Sequence, residues 1–239
     1  MSVAAFLAPN LHVVVLEAEA MLGYHASGRS AALYTECYGP GIVPSLTKAS
    51  RPFLEDPEEP LLTPRGVMFV GSEDQLASVA DLHEQFRHTV PDLALLDTDG
   101  VLDLVPVLDS QTAWTGILEP RAMDIDIHGL ESSYRSMVRA GNGEILLGAR
   151  VTGIHRMVSD TAWLLETEAG EVSADVIVNA AGAWGDVVAD LAGVQPLGLT
   201  PLRRSAFLTS SVEGSNQWPM VIDADERWYF KPEGPNLLG

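Results

Sequence analysis

The residues with the clearest chemical potential lie in three stretches of the chain. Glu17 ends the run Val13-Val14-Val15-Leu16, and a carboxylate at the end of a parallel strand can accept hydrogen bonds from the ribose hydroxyls of an adenine dinucleotide. A solvated strand-end acid is the plainer reading of Glu17 alone, and the glycine fingerprint that precedes such an acid is not in the sequence. Ser27-Gly28-Arg29-Ser30-Ala31 offers open backbone N–H groups at a loop-to-helix junction, as an anion site requires; an ordinary helix start fits equally well. Asn179-Ala180-Ala181-Gly182-Ala183-Trp184 follows the apolar run Val176-Ile177-Val178, and small residues after a buried strand let a large ligand lie against the backbone. In this order on one chain, the three make a far rarer combination than any one of them.

Hydrophobic periodicity supplies the elements that hold these residues. Residues 3–7 read as the end of a helix stopped by Pro9 and Asn10, 12–16 as a buried parallel strand, and 42–53 as a second helix. The acidic loop 55–60 reads as solvated linker. A strand over 66–70 leads into Ser72 and Gln75, a capping box for a helix with Leu76, Val79, Leu82 and Phe86 on one face, ending before Pro91. Residues 93–107 read as short strands and turns, and Asp126 caps a helix carrying Leu130, Tyr134, Met137 and Val138 up to Gly141. Strand periodicity then takes over at 144–147, 151–157, 163–168 and from 172 into the buried strand 176–178. A helix over 186–192, strands near 205–208 and 228–231, and an opening hairpin complete the pattern.

Composition excludes several partners. Thirty-three acidic residues against 14 basic ones give a net charge of −19, which repels nucleic-acid phosphates and anionic lipid surfaces. A hydrophobic fraction of 46% with 20% charged residues suits a packed core. Cys37 is the single cysteine, so no intrachain disulfide forms and a reducing, cytoplasmic setting is expected. Cys37 itself reads as a packing residue. No apolar run reaches the roughly 20 residues of a membrane-spanning helix, and residues 1–9 lack the basic start of a signal peptide. His12, His25, His83, His88, His128 and His155 lack zinc-site spacing, so no metal is expected.

A family resemblance ties the stretches together. Val13 to Glu17, Gly23-Tyr24-His25, Gly28 to Ala32, Tyr38-Gly39, Val105-Pro106-Val107-Leu108, Asp124-Ile125-Asp126, Val178 to Trp184, Leu197-Gly198-Leu199, Arg203 to Phe207, Trp218-Pro219-Met220 and Tyr229 to Pro232 run in the order of a known superfamily. The chain resembles the FAD-dependent D-amino-acid oxidase, glycine oxidase and sarcosine oxidase superfamily, nearest to bacterial D-arginine dehydrogenase-type enzymes. The resemblance implies an α/β (α+β overall) protein. A Rossmann-like FAD-binding domain, 1–55 with 142–200, would be interleaved with a mostly antiparallel substrate domain, 56–141 with 201–239. It also implies a chain that is the middle of a longer two-domain flavoprotein.

The activity implied is hydride transfer from the α-carbon of a D-amino acid to flavin, giving a keto acid and ammonia. Glu17, Ser27, Gly28, Arg29, Ser30, Ala31, Val151, Ala181, Gly182 and Trp184 would hold FAD. Arg204 would grip the substrate carboxylate, Tyr229 would add a phenol hydrogen bond, and Met220 and Ile222 would line the pocket. Tyr38 and Thr35 would belong to the loop covering it. Val67 stands where the D-arginine-type enzyme has an acid, and Leu33 replaces its loop histidine, so apolar or small D-amino or cyclic imino acids are expected over D-arginine. Rival readings are a flavoenzyme of the same superfamily acting on a 2-hydroxy acid or secondary amine, and a truncated remnant without activity.

Overall fold

A computed structural model of the protein describes every residue except 57 and 158–161. Pro57, inside the acidic loop read as linker, therefore lies outside the described residues. The first half of the chain runs α1 (Ser2–Leu7), β1 (Val13–Leu16), β2 (Leu33–Tyr34), α2 (Val43–Leu54), β3 (Leu62–Pro64), β4 (Val67–Gly71), α3 (Leu76–Phe86), β5 (Ala94–Asp97), α4 (Thr98–Leu104), β6 (Thr115–Glu119) and β7 (Met123–Ile125). There follow α5 (Ile127–Ala140), β8 (Gly143–Leu146), β9 (Val151–Arg156), β10 (Trp163–Thr167), β11 (Gly170–Ala174), α6 (Gly185–Leu191), β12 (Leu208–Ser210), β13 (Met220–Asp223), β14 (Tyr229–Glu233) and β15 (Asn236–Leu238).

Two compact units form: Met1–Ser30 with Glu131–Arg204, and Ala31–Leu130 with Ser205–Gly239. These boundaries differ from the domain bounds the resemblance implies, 55/56, 141/142 and 200/201.

In the first unit β1 and β8 pair in parallel, from Val13 opposite Gly143 to Leu16 opposite Leu146. Ala4, Ala5 and Val138 are buried beneath Val13, Val15, Tyr134, Met137 and Ile145, so α1 and the end of α5 cover this pair. A Cβ on Gly141 would fall 2.6 Å from the carbonyl carbon of Ala8, and only glycine lets the helix end press there. β9, β10 and β11 form an antiparallel meander, as the alternating pattern requires.

The expected buried strand 176–178 is not found. Val176 is 74% exposed and Val178 56%, and among the described residues no strand pairs with the segment. An apolar run signals burial only where a second layer covers it, and none of the described elements does so here.

The second unit is built on a sheet ordered β12-β15-β14-β13-β4-β6-β5, antiparallel except for the parallel pair β13–β4, beside a small antiparallel sheet β2-β7-β3. Val67 and Phe69 of β4 face a core containing Phe86 of α3, while Met68 and Val70 face one containing Val101 of α4. Burial on both faces explains the unbroken Val67-Met68-Phe69-Val70 run. The Ser72–Gln75 capping box and the Asp126 cap, whose Oδ1 accepts Gly129 N at 2.9 Å, form as expected. Residues 98–104 are helical rather than turns, because Asp97 accepts Gly100 N at 2.9 Å and caps a helix the short apolar spacing concealed. Leu76 points to solvent, since α3 begins only after the capping turn, and the strand expected over 205–208 starts at Leu208. Among the described residues no helix is long and apolar enough to cross a membrane.

Candidate active site

Most of the expected substrate-pocket residues converge on one face of the large sheet. Met220 is level with Val67, and Val67 is directly opposite Glu119, so one row crosses β13, β4 and β6. Directly opposed residues share a face of the sheet. Ile222 pairs with Phe69 on one side and Tyr229 on the other. Val67, Met220 and Ile222 are buried in one cluster with Cys37, and Leu33, Tyr229 and Ala31 pack against it half-buried. Ala31, expected at the cofactor, thus belongs to this core.

The segment after β2 borders the cluster. Thr35, Glu36 and Cys37 are buried and Tyr38 is the first exposed residue. The Glu36 carboxylate accepts the Tyr34 hydroxyl at 2.8 Å and Arg51 at 3.5 Å. Burial, reinforced by the Glu36 carboxylate, pushes the Tyr34 phenol up, and burial does the same to the Cys37 thiol. Cys37 is therefore a protonated packing residue rather than a nucleophile. Among the described residues, no group of three or more His, Cys, Asp or Glu side chains could hold a metal.

Apart from Ala31, the residues expected at a cofactor lie in the first unit. Glu17 closes β1, and its Oε1 accepts Glu19 N at 3.0 Å. Gly28 N donates to Gly23 O at 2.8 Å, and a Cβ on Gly28 would lie 2.4 Å from that oxygen, so the loop closes only around glycine. Ser27–Arg29 is one 3-10 turn rather than the start of a helix. Ser30 turns extended and the chain runs into β2, so no helix dipole accumulates there. Arg29 instead lies 4.7 Å over the Tyr24 ring.

His25 joins this loop to the Gly182–Trp184 turn. Its ring centroid is 4.7 Å from that of Trp184, its Nε2 is 2.9 Å from Glu19 Oε1, and Arg150 approaches the same carboxylate at 3.6 Å. The Gly23-Tyr24-His25 motif carried this signal without a role attached to it. Asn179 shapes the turn, donating to Gly185 O at 2.7 Å and accepting Ala181 N at 3.3 Å. Asp186 accepts the amides of Leu197, Gly198 and Leu199; these bonds, led by Leu197, hold its carboxyl below the usual range and account for the Leu197-Gly198-Leu199 motif. Val151 opens β9, half-buried, and Arg204 is exposed in an irregular segment as the last residue of the unit.

The family model described as FAD dependent oxidoreductase matches residues 1–239. The chain belongs to the FAD-dependent oxidoreductases. The chain is 26% identical over 148 residues to human mitochondrial dimethylglycine dehydrogenase, a match covering 60% of this chain and 17% of that protein. Its fold is that of L-proline dehydrogenase from P. horikoshii (TM-score 0.81, 17% identity, 100% of this chain and 65% of that one). It is equally that of L-alpha-glycerophosphate oxidase from Mycoplasma pneumoniae with FAD bound (TM-score 0.82, 15% identity, 98% and 66%). The oxidoreductase chain thus spans about two thirds of the solved chains it resembles.

The residues present fit a flavin dinucleotide. A strand-end carboxylate, a loop closed by a glycine with no room for a Cβ, and the small residues Ala181 and Gly182 lie in one unit.

Proposed function

We propose that this FAD-dependent oxidoreductase oxidises the carbon–nitrogen bond of a small amino acid, in the manner of the D-amino-acid dehydrogenases its motifs resemble. When bound, FAD supplies the hydride acceptor. Glu17, the Ser27–Ser30 loop, Val151 and the Ala181–Trp184 turn take the cofactor-holding roles in the first unit. The second unit supplies the substrate pocket.

The observation that carries this reading is the convergence of Val67, Met220, Ile222 and Tyr229 on one sheet face, with Leu33 of the small sheet packed against them, in a chain of this family. Arg204 is assigned the substrate carboxylate, held by paired charge-assisted hydrogen bonds. Tyr229 is assigned a phenol hydrogen bond to the substrate, and Thr35 and Tyr38 border the pocket. An apolar wall orients the substrate side chain and keeps water from the reacting carbon. The imine formed on oxidation is hydrolysed to a keto acid and ammonia.

Val67 and Leu33 provide no counter-charge, so apolar or small D-amino acids and cyclic imino acids are the proposed substrates, ahead of D-arginine. N-substituted amines form a second reading, supported by the likeness to a dimethylglycine dehydrogenase and to an L-proline dehydrogenase fold. The lone buried Cys37 supports a cytoplasmic setting.

Steady-state kinetics of the flavin-loaded enzyme with a dye acceptor tests this. D-leucine, D-methionine, D-proline and sarcosine are compared with D-arginine. A higher kcat/KM for D-arginine than for all the others overturns the substrate assignment. Colourless protein that takes up no FAD overturns the enzymatic reading.

A further inference from the structure

We propose that Glu119 is a positioning residue of the substrate site: its carboxylate fixes the 35–37 segment and thereby sets where Thr35 and Tyr38 stand. The proposal rests on the amine-oxidation reading above. Glu119 closes β6 and is 1% exposed. Its Oε2 accepts Thr35 Oγ1 at 2.5 Å and Cys37 N at 3.3 Å, and its Oε1 accepts Glu36 N at 2.9 Å.

Each of these donors is neutral, and all come from consecutive residues of one segment. A buried carboxylate is costly unless donors fill its lone pairs, so acid and segment depend on one another. Thr35 Oγ1 also accepts Cys37 N at 3.1 Å, which leaves its hydroxyl a single orientation. Tyr38 follows immediately, the first side chain of the segment to reach solvent.

Register sharpens the inference. Glu119 is the direct cross-strand neighbour of Val67, which is level with Met220, so its side chain belongs to the candidate pocket face. By position it could serve a cationic substrate side chain. By hydrogen bonding it is committed to the 35–37 segment, and the pocket face stays without a negative charge to offer.

The test compares the full flavin-loaded enzyme with Glu119→Gln. Glutamine has one acceptor oxygen, and it turns an amide NH2 toward groups that are themselves donors. Exchange of the Glu36 and Cys37 amides is expected to accelerate about ten-fold or more, a readout independent of substrate. KM for the preferred substrate is expected to rise about ten-fold, the equivalent of one lost charged hydrogen bond, with flavin content unchanged and part of the loss recovered in Glu119→Asp.

Thr35→Val, which removes one donor, is expected to raise KM in the same direction and to add nothing further when combined with Glu119→Gln. It also serves if Glu119→Gln does not accumulate. Unchanged amide exchange overturns the proposal, and so does a KM within about two-fold of the parent. A parent enzyme that oxidises no amine at all overturns the functional reading instead, and the parent's own kinetics separate the two results.

Discussion

Lys231 Nζ lies 2.9 Å from Asp124 Oδ1, and the lysine side chain is only 4% exposed. The same carboxylate accepts Arg65 Nε at 2.8 Å, and Glu233 Oε2 stands 3.1 Å from the lysine. Asp124 belongs to the small sheet and Lys231 to the large one, so the pair fastens the two sheets of the second unit beside the Tyr229 face. Removing one partner of a buried pair strands the other charge. Asp124→Ala is expected to cost about 3–5 kcal/mol, measured by urea unfolding of the second unit's signal. Lys231→Met is expected to cost less, because Asp124 keeps Arg65; the reverse order would show that Arg65 does not sustain the carboxylate.

Asp223 sets an acid limit on stability. Its carboxylate accepts Arg227 Nε and Nη2 at 2.9 and 2.8 Å and Gln75 Nε2 at 3.1 Å, and the Arg227 guanidinium first of all holds its pKa down to about 2. The folded-state value lies below the unfolded aspartate value of about 3.9. The contribution is therefore complete above about pH 4 and is lost as pH falls through about 2. Arg227 is largely exposed and its attraction is screened, so the loss is of order 1 kcal/mol. Unfolding midpoints between pH 5 and pH 2 for the parent and Asp223→Asn are expected to converge at the acid end.

Gly28→Ala forces the new methyl onto the Gly23 carbonyl, where a Cβ would sit at 2.4 Å. The loop must open, and flavin content per protein, read from the visible absorbance, is expected to fall while the second unit's unfolding is unaltered. Full flavin content in this variant would remove the loop from the cofactor assignment.

Legibility in the sequence followed how local each signal was. The Ser72–Gln75 box, the Asp126 cap and the parallel β1 run declare themselves within a few residues, and all three form. The convergence of the proposed pocket residues is reachable only through motif order, because Val67, Met220 and Tyr229 are far apart in the chain and are brought together by sheet register, with Leu33 packing in from the small sheet. Glu119 carried no sequence signal: an acid between Leu118 and Pro120 looks like surface, and its burial depends on donors some eighty residues earlier. Residues 176–178 failed for the opposite reason, since strong local hydrophobicity says nothing about whether a covering layer is present.

Val67→Glu is the direct trial of pocket polarity. Val67 is fully buried and opposite Glu119, so a second carboxylate there has a like charge as neighbour and no cation. A loss of about 3 kcal/mol or more in unfolding free energy is expected, without gain of D-arginine turnover. A stable variant that oxidises D-arginine would show that the pocket accepts charge readily.

The three-strand row of Met220, Val67 and Glu119 gives the proposed pocket wall and the clamp on the 35–37 segment adjacent seats. An acid placed at position 67 would face the Glu119 carboxylate directly across the strands, so the charge of one seat bears on the charge the other can hold.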